Sequence, residues 1–204
     1  PTSTADLRLQ VASPAVNAGN NALNTSANDL DGNPRIINGR IDLGAYETLP
    51  RLSTFVVGSG TISYTPAAEA IPVGTTLTIT ATASPGWSFA GWSGDLSGTN
   101  AQTSLLINAT KSITATFTNN PPIANAGTDQ SVVAASAVTL NGSASYDADP
   151  TQTLTYAWTQ TAGTSVTLTG ANTANPTFTA PSAAGNLTFS LVVTDSLGLA
   201  SSAD

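Results

Sequence analysis

The sequence predicts an all-β protein built from several small domains in tandem. Three observations carry that prediction. Charged residues make up only 8% of the 204 positions, too few to cover the wet faces of long surface helices. Threonine, serine, asparagine and glycine fill the polar positions instead, which is the composition of strands and turns. Apolar residues recur at every second position in short runs, and glycine or proline turns bound those runs.

Two junctions divide the chain into pieces at 1–50, 51–119 and 120–204. The first, "ETLPRLST" at 47–54, separates a Gly/Asn/Asp-rich segment from a Thr-rich one. The second, "TNNPPIANAG" at 118–127, reads as a linker, because Pro121 and Pro122 favour extended backbone and cannot continue a helix. The three pieces are not copies of one another.

In the first piece, Leu7, Leu9 and Val11 alternate with polar neighbours and predict a short strand. Ile36–Ile37 and Ile41 with Leu43 predict two more around the turn "NGR". In the second piece, strands are expected at "STFVV", "TISYT", "TLTITAT", "WSFAGW", "SLLI" and "SITATFT". Leu77, Ile79 and Ala81 face one way and the threonines between them face the other. Trp87, Phe89 and Trp92 do not share one period-two face, so Gly91 is expected to mark a bulge that turns Trp92 inward. These aromatics read as the core of a small domain; the competing reading is a stacking platform for sugar rings. In the third piece, Leu154, Tyr156 and Trp158 form one strand face and Leu187, Phe189, Leu191 and Val193 form another. Two opposed faces of this kind make a β-sandwich with the tryptophan on a central strand.

Composition restricts the chemistry. The chain has no Cys, His or Met, which removes thiolates, the commonest general base, and any Ser–His–Asp triad. The net charge of −7 repels phosphate backbones, so nucleic acid is not an expected partner, and calcium is the natural counter-ion. The sequence has neither an 18-residue apolar run nor a signal-peptide pattern, so no membrane insertion is expected in this stretch. It opens on Pro1 and stops at Asp204, and both ends look cut from something longer.

Each piece resembles a known family. The elements "SPAVNAG", "DLDGNPR" and "DLGAYE" resemble the closing coils of bacterial right-handed parallel β-helix proteins. Fifty residues make about two coils of roughly 20–30 residues each, so the resemblance implies further coils before Pro1. "GTTLTITATASPGWSFAGWSGDLSG" followed by "KSITATFT" looks like the divergent internalin-type B repeat of bacterial surface proteins, a β-rich spacer module. The third piece resembles the PKD-like immunoglobulin-like sandwich over about 85 residues. The family's last strand normally continues beyond "SLGLASSAD", so here at most half of it is expected. That leaves a sheet edge for the continuing chain, or for a strand lent by a neighbouring molecule, to complete.

The candidate sites are all acidic. The PKD-like resemblance implies a calcium site at Asp147, Asp149, Asp195 and Asn120. The family's usual Gly–Asp tail is "PTQ" here, which removes one carboxylate. The alternative is that Asp147 and Asp149 build a turn through bonds from side chain to backbone. Asp29, Asp31 and Asn33 mimic the start of an EF-hand loop, but the position that should carry its bidentate Glu is Arg40. Pairing of Arg35 or Arg40 with Asp42 or Glu47 is the structural alternative. Sequons begin at Asn24, Asn108, Asn141 and Asn186.

These readings combine into a non-enzymatic stalk, spacer or filament segment of a secreted or cell-surface bacterial protein. It would act in adhesion or extracellular assembly, with surface or matrix molecules, glycans or copies of itself as partners. The alternative is a set of accessory modules on a polysaccharide-active β-helix enzyme whose catalytic part lies upstream.

Overall fold

The structure, a computed structural model, describes residues 9, 13–30, 32, 34–36, 39–44, 46, 48–68 and 71–204. The described residues are all-β apart from one 3-10 turn at Asn21–Leu23. The chain separates into two compact units, Pro1–Ala83 with Phe89–Phe117, and Ser84–Ser88 with Thr118–Asp204.

The first unit contains two three-stranded sheets. One has the order β1 (Leu52–Val57), β6 (Lys111–Asn119), β4 (Trp87–Gly94), with β1 and β6 parallel. The other has the order β2 (Gly60–Thr65), β3 (Thr75–Ala83), β5 (Gln102–Ile107), antiparallel throughout. Period-two patterning sets the core: Leu77, Ile79 and Ala81 are buried on β3, and Ile113, Ala115 and Phe117 on β6. Thr76, Thr78 and Thr82 face solvent, as the alternation predicts. On β4, Trp87, Phe89 and Gly91 are half-buried in alternation, and then Trp92 breaks phase and is buried. Its N–H donates to the Gly98 carbonyl at 2.9 Å. This is the expected phase break at Gly91, and it delivers Trp92 to a cluster in which Phe89 lies 5.2 Å from Trp92 and 5.6 Å from Phe117 between ring centroids. The core reading of these aromatics therefore holds. Gly60 on β2 makes room for that cluster, because a Cβ there would lie less than 3.0 Å from the Phe117 ring carbons.

The parallel β-helix expected for 1–50 is not found among the described residues. They contain no strand; they show the 3-10 turn, an isolated bridge between Asn28 and Pro34, a further bridge residue at Arg40, and turns and bends. Ile36 and Leu43 are exposed; Leu7, Val11 and Ile37 lie outside the described residues. A buried carboxylate organises this segment instead. Asp42 is 2% exposed; its Oδ1 accepts from the Asn17 N–H at 2.6 Å, and its Oδ2 accepts from the Thr48 N–H and hydroxyl at 2.8 and 2.7 Å.

In the second unit, β7 (Ala137–Thr139) pairs with β9 (Thr177–Thr179), and β8 (Thr155–Ala162) pairs with β10 (Thr188–Thr194), both antiparallel. The two sheets meet through their inner faces: Phe178 of β9 lies 5.0 Å from Phe189 of β10 between ring centroids. Trp158, Leu191 and Val193 form the buried centre of the β8–β10 face. This is the sandwich the alternation predicts. Residues 200–204 then run beside β10, with Ser201 N–H donating to Val193 at 2.8 Å and Asp204 N–H to Leu191 at 3.0 Å. These bonds, with the bridge between Thr194 and Ala200, set residues 200–204 against Leu191–Thr194 of β10.

Candidate functional site

The acidic residues of the second unit occupy its loops. Asp147 and Asp149 sit in the turn before β8, Asp195 directly follows β10, and Asn119 and Asn120 enter from the end of β6. Each aspartate accepts a hydrogen bond from the backbone two residues on. Asp147 Oδ1 accepts from the Asp149 N–H at 2.7 Å, Asp149 Oδ1 from the Thr151 N–H at 3.0 Å, and Asp195 Oδ1 from the Leu197 N–H at 2.9 Å. This is the Asx-turn geometry that short acidic side chains favour. The turn role foreseen for Asp147 and Asp149 is therefore realised, and Asp195 repeats it.

The remaining oxygens are mostly engaged. Asp149 also accepts from the Thr151 hydroxyl at 2.7 Å, the Trp87 indole N–H at 3.0 Å and the Gln152 amide at 3.4 Å. The Thr151 hydroxyl and N–H, followed by the Trp87 indole, lower its pKa from the ordinary 3.8 to about 2, because donors aimed at a carboxylate favour its charged form. Gly86 packs against the same residue: its φ is +76° and a Cβ would meet the Asp149 backbone. Asp195 Oδ1 also accepts from the Leu199 N–H at 2.8 Å, and its Oδ2 accepts from the Asn119 amide at 2.6 Å.

Sequence reasoning placed Asn120 in this set, and the structure brings Asn119 to Asp195 instead. Asn120 Oδ1 accepts from the Ser88 hydroxyl at 2.7 Å. Adjacent asparagines at the end of a strand point to opposite sides, and only the register of β6 decides which one faces Asp195.

Two acceptor oxygens here, Asp147 Oδ2 and Asn119 Oδ1, are buried without a donor. A buried acceptor with no partner carries the full desolvation cost, and oxygen acceptors are the ligands calcium takes. Among the described residues, no three acidic side chains converge on a point suited to a metal.

The other candidate loop is only partly described, since Asp31 and Asn33 lie outside the described residues. Asp29 is buried, Arg35 reaches the Gly44 carbonyl, and Arg40 donates to the Gly19 carbonyl at 3.0 Å. Of the sequon asparagines, Asn108, Asn141 and Asn186 are exposed and Asn24 is half-buried. An open groove of about 470 Å³ in the second unit is lined by Thr164, Ser165, Val166, Thr167, Thr179, Pro181 and Ser182, with no charged side chain among them.

Comparison with known proteins agrees with two of the three pieces. Residues 52–121 match the divergent InlB B-repeat domain, and residues 126–204 match a PKD domain. No curated protein matches the chain. Among solved structures, a nucleoside hydrolase-related protein from Saccharophagus degradans, described as associated with carbohydrate metabolism, is 26% identical over 39% of this chain and 23% of that one, with a TM-score of 0.31. The fibronectin(III)-like modules of Clostridium thermocellum CbhA are 13% identical over 76% of this chain and 87% of that one, with a TM-score of 0.30. The chain therefore spans less than a quarter of the first of these proteins.

Proposed function

We propose that this chain is a non-enzymatic structural segment of a secreted or cell-surface bacterial protein, a spacer or stalk acting in adhesion or extracellular assembly. The observation that carries this reading is the succession of two module types, a divergent B repeat at 52–121 and a PKD domain at 126–204, which resemble the β-rich modules of bacterial surface proteins. The carboxylates support it. Asp149 and Asp195 have both oxygens engaged by donors, whereas a general acid or base needs an oxygen free to meet a substrate proton. Calcium enters this reading as a stabiliser of the second unit, with the unpartnered Asp147 Oδ2 as an oxygen it could take.

The test has two arms. The chain is incubated with a panel of plant and bacterial polysaccharides, and no turnover is expected. Hydrolysis or elimination that vanishes in Asp147→Asn or Asp149→Asn would replace the spacer reading with the enzymatic one. Melting is then compared in calcium and in chelator. One site filled at a hundredfold excess over its dissociation constant stabilises the native state by about 2.7 kcal/mol, and that gain should disappear in Asp147→Asn. Identical curves in both buffers would remove calcium and leave the turn role alone.

A further inference from the structure

The geometry points to strand β1 as a self-association edge, where two copies of this chain pair antiparallel through Leu52–Val57. β1 stands at the end of its sheet, with β6 on one side and no described residue paired on the other. Its exposure is unusual for a strand in a parallel pair, since such strands are normally covered on both faces. Phe55 and Val57 are 55% and 54% exposed on one face, and Val56 is 43% exposed on the other. The other sheet's edge strands keep one face covered: Ile62 and Tyr64 of β2 are half-buried, and Leu105 and Ile107 of β5 are buried, with Leu106 exposed on the opposite face. β1 also lacks the devices that guard an edge, having no charge, no proline and no break in its register with β6.

The backbone fixes how a second copy would fit. Lys111 N–H donates to the Arg51 carbonyl at 2.9 Å, so the backbone groups of Arg51 point toward β6. Those of Ser53, Phe55 and Val57 follow them, because the N–H and C=O of alternate residues share a side. Leu52, Thr54 and Val56 therefore present their N–H and C=O groups outward. These three positions are symmetric about Thr54. A twofold antiparallel pairing sets Thr54 against its own copy and Leu52 against Val56, so all six outward groups on each strand are bonded. Leu52 meets Val56, Phe55 meets Ser53, and Val57 meets Arg51 at the end of the strand, so no like charges face each other across the contact. A twofold axis makes such a patch its own partner. A contact confined to one strand from each copy falls short of the roughly 1,200–2,000 Å² that stable complexes bury, so the pairing is weak and depends on concentration. It stands independently of where the protein resides.

The test is sedimentation of the whole chain over a concentration series, with amide exchange read at the outward positions. The weight-average mass should rise toward twice the monomer value, and exchange at Leu52, Thr54 and Val56 should slow as the mass rises. Thr54→Pro removes an outward N–H without touching the β1–β6 ladder, and Val56→Lys adds a charge at the contact. Both variants should keep the parent melting curve and sediment as monomers at every concentration. A parent chain that stays monomeric at millimolar concentration overturns the proposal and leaves the edge to a different partner. A dimer that persists in both variants overturns it equally, because its interface must then lie elsewhere.

Discussion

Replacing Asp195 tests how the second unit closes its last loop. The carboxylate is 4% exposed and serves three donors, the N–H groups of Leu197 and Leu199 and the Asn119 amide. Asp195→Ala leaves all three without an acceptor. Leu197 and Leu199 are exposed, so water partly replaces the lost acceptor, and the loss is about 2 kcal/mol in total. A domain of 60–100 residues loses roughly 4–8 °C of melting temperature per kcal/mol, so calorimetry should show the second unit melting at least about 8 °C lower. Asp195→Asn is predicted to behave differently. Its carbonyl can still accept from Leu197 and Leu199, and Asn119 can rotate its amide so that Oδ1, now without a donor, accepts from the new side chain. That variant should lose no more than about 1 kcal/mol. Equal losses in the two variants would refute this reasoning and make the negative charge, not the acceptor geometry, the feature that matters. A melting point within 3 °C of the parent for Asp195→Ala would show that the loop closes without this side chain.

Acid should weaken the second unit through Asp149, whose pKa is lowered in the fold from 3.8 to about 2. A depressed pKa contributes stability that is fully present above the ordinary value and is lost as pH falls from about 3.8 toward about 2. Urea titrations at steps between pH 5 and 2 should show that loss in the parent chain and a flatter profile in Asp149→Asn; coincident profiles would contradict it. In the first unit, Gly60→Ala drives a methyl group into the Phe117 ring and should cost about 1–3 kcal/mol by overpacking, measured by chemical denaturation. An unchanged midpoint would mean that the aromatic cluster yields more readily than its packing suggests.

What the sequence made legible depends on how local the determining physics is. The buried faces of β3, β8 and β10 follow from alternation alone, because a strand's side chains must alternate. The phase break at Gly91 was legible for the same reason: three aromatics out of step with one face require an extra residue. The aspartates were harder to read. A D-x-D turn accepts either backbone N–H groups or a cation, and only coordinates show that Asp149 and Asp195 already have donors. The choice between Asn119 and Asn120 hangs on one residue of register in β6, below the resolution of any pattern. The solenoid expected for 1–50 is not shown by the described residues, because its motifs describe coils that bury their faces only against neighbours. The edge position of β1 was invisible for a related reason, since "STFVV" reads identically whether one side or both sides are paired.

The solvent face of the β2–β3–β5 sheet carries one further consequence. Thr61 and Thr82 stand opposite each other, Ser63 aligns with Thr80 and Gln102, and Thr65 aligns with Thr78 and Ser104. No ionisable group interrupts these rows. Ionic strength acts on a protein surface through its charges, with a screening length falling from about 30 Å at 0.01 M to about 3 Å at 1 M. This face has no charge for salt to screen and no group that titrates, so neither Debye screening nor a change of pH acts on it directly.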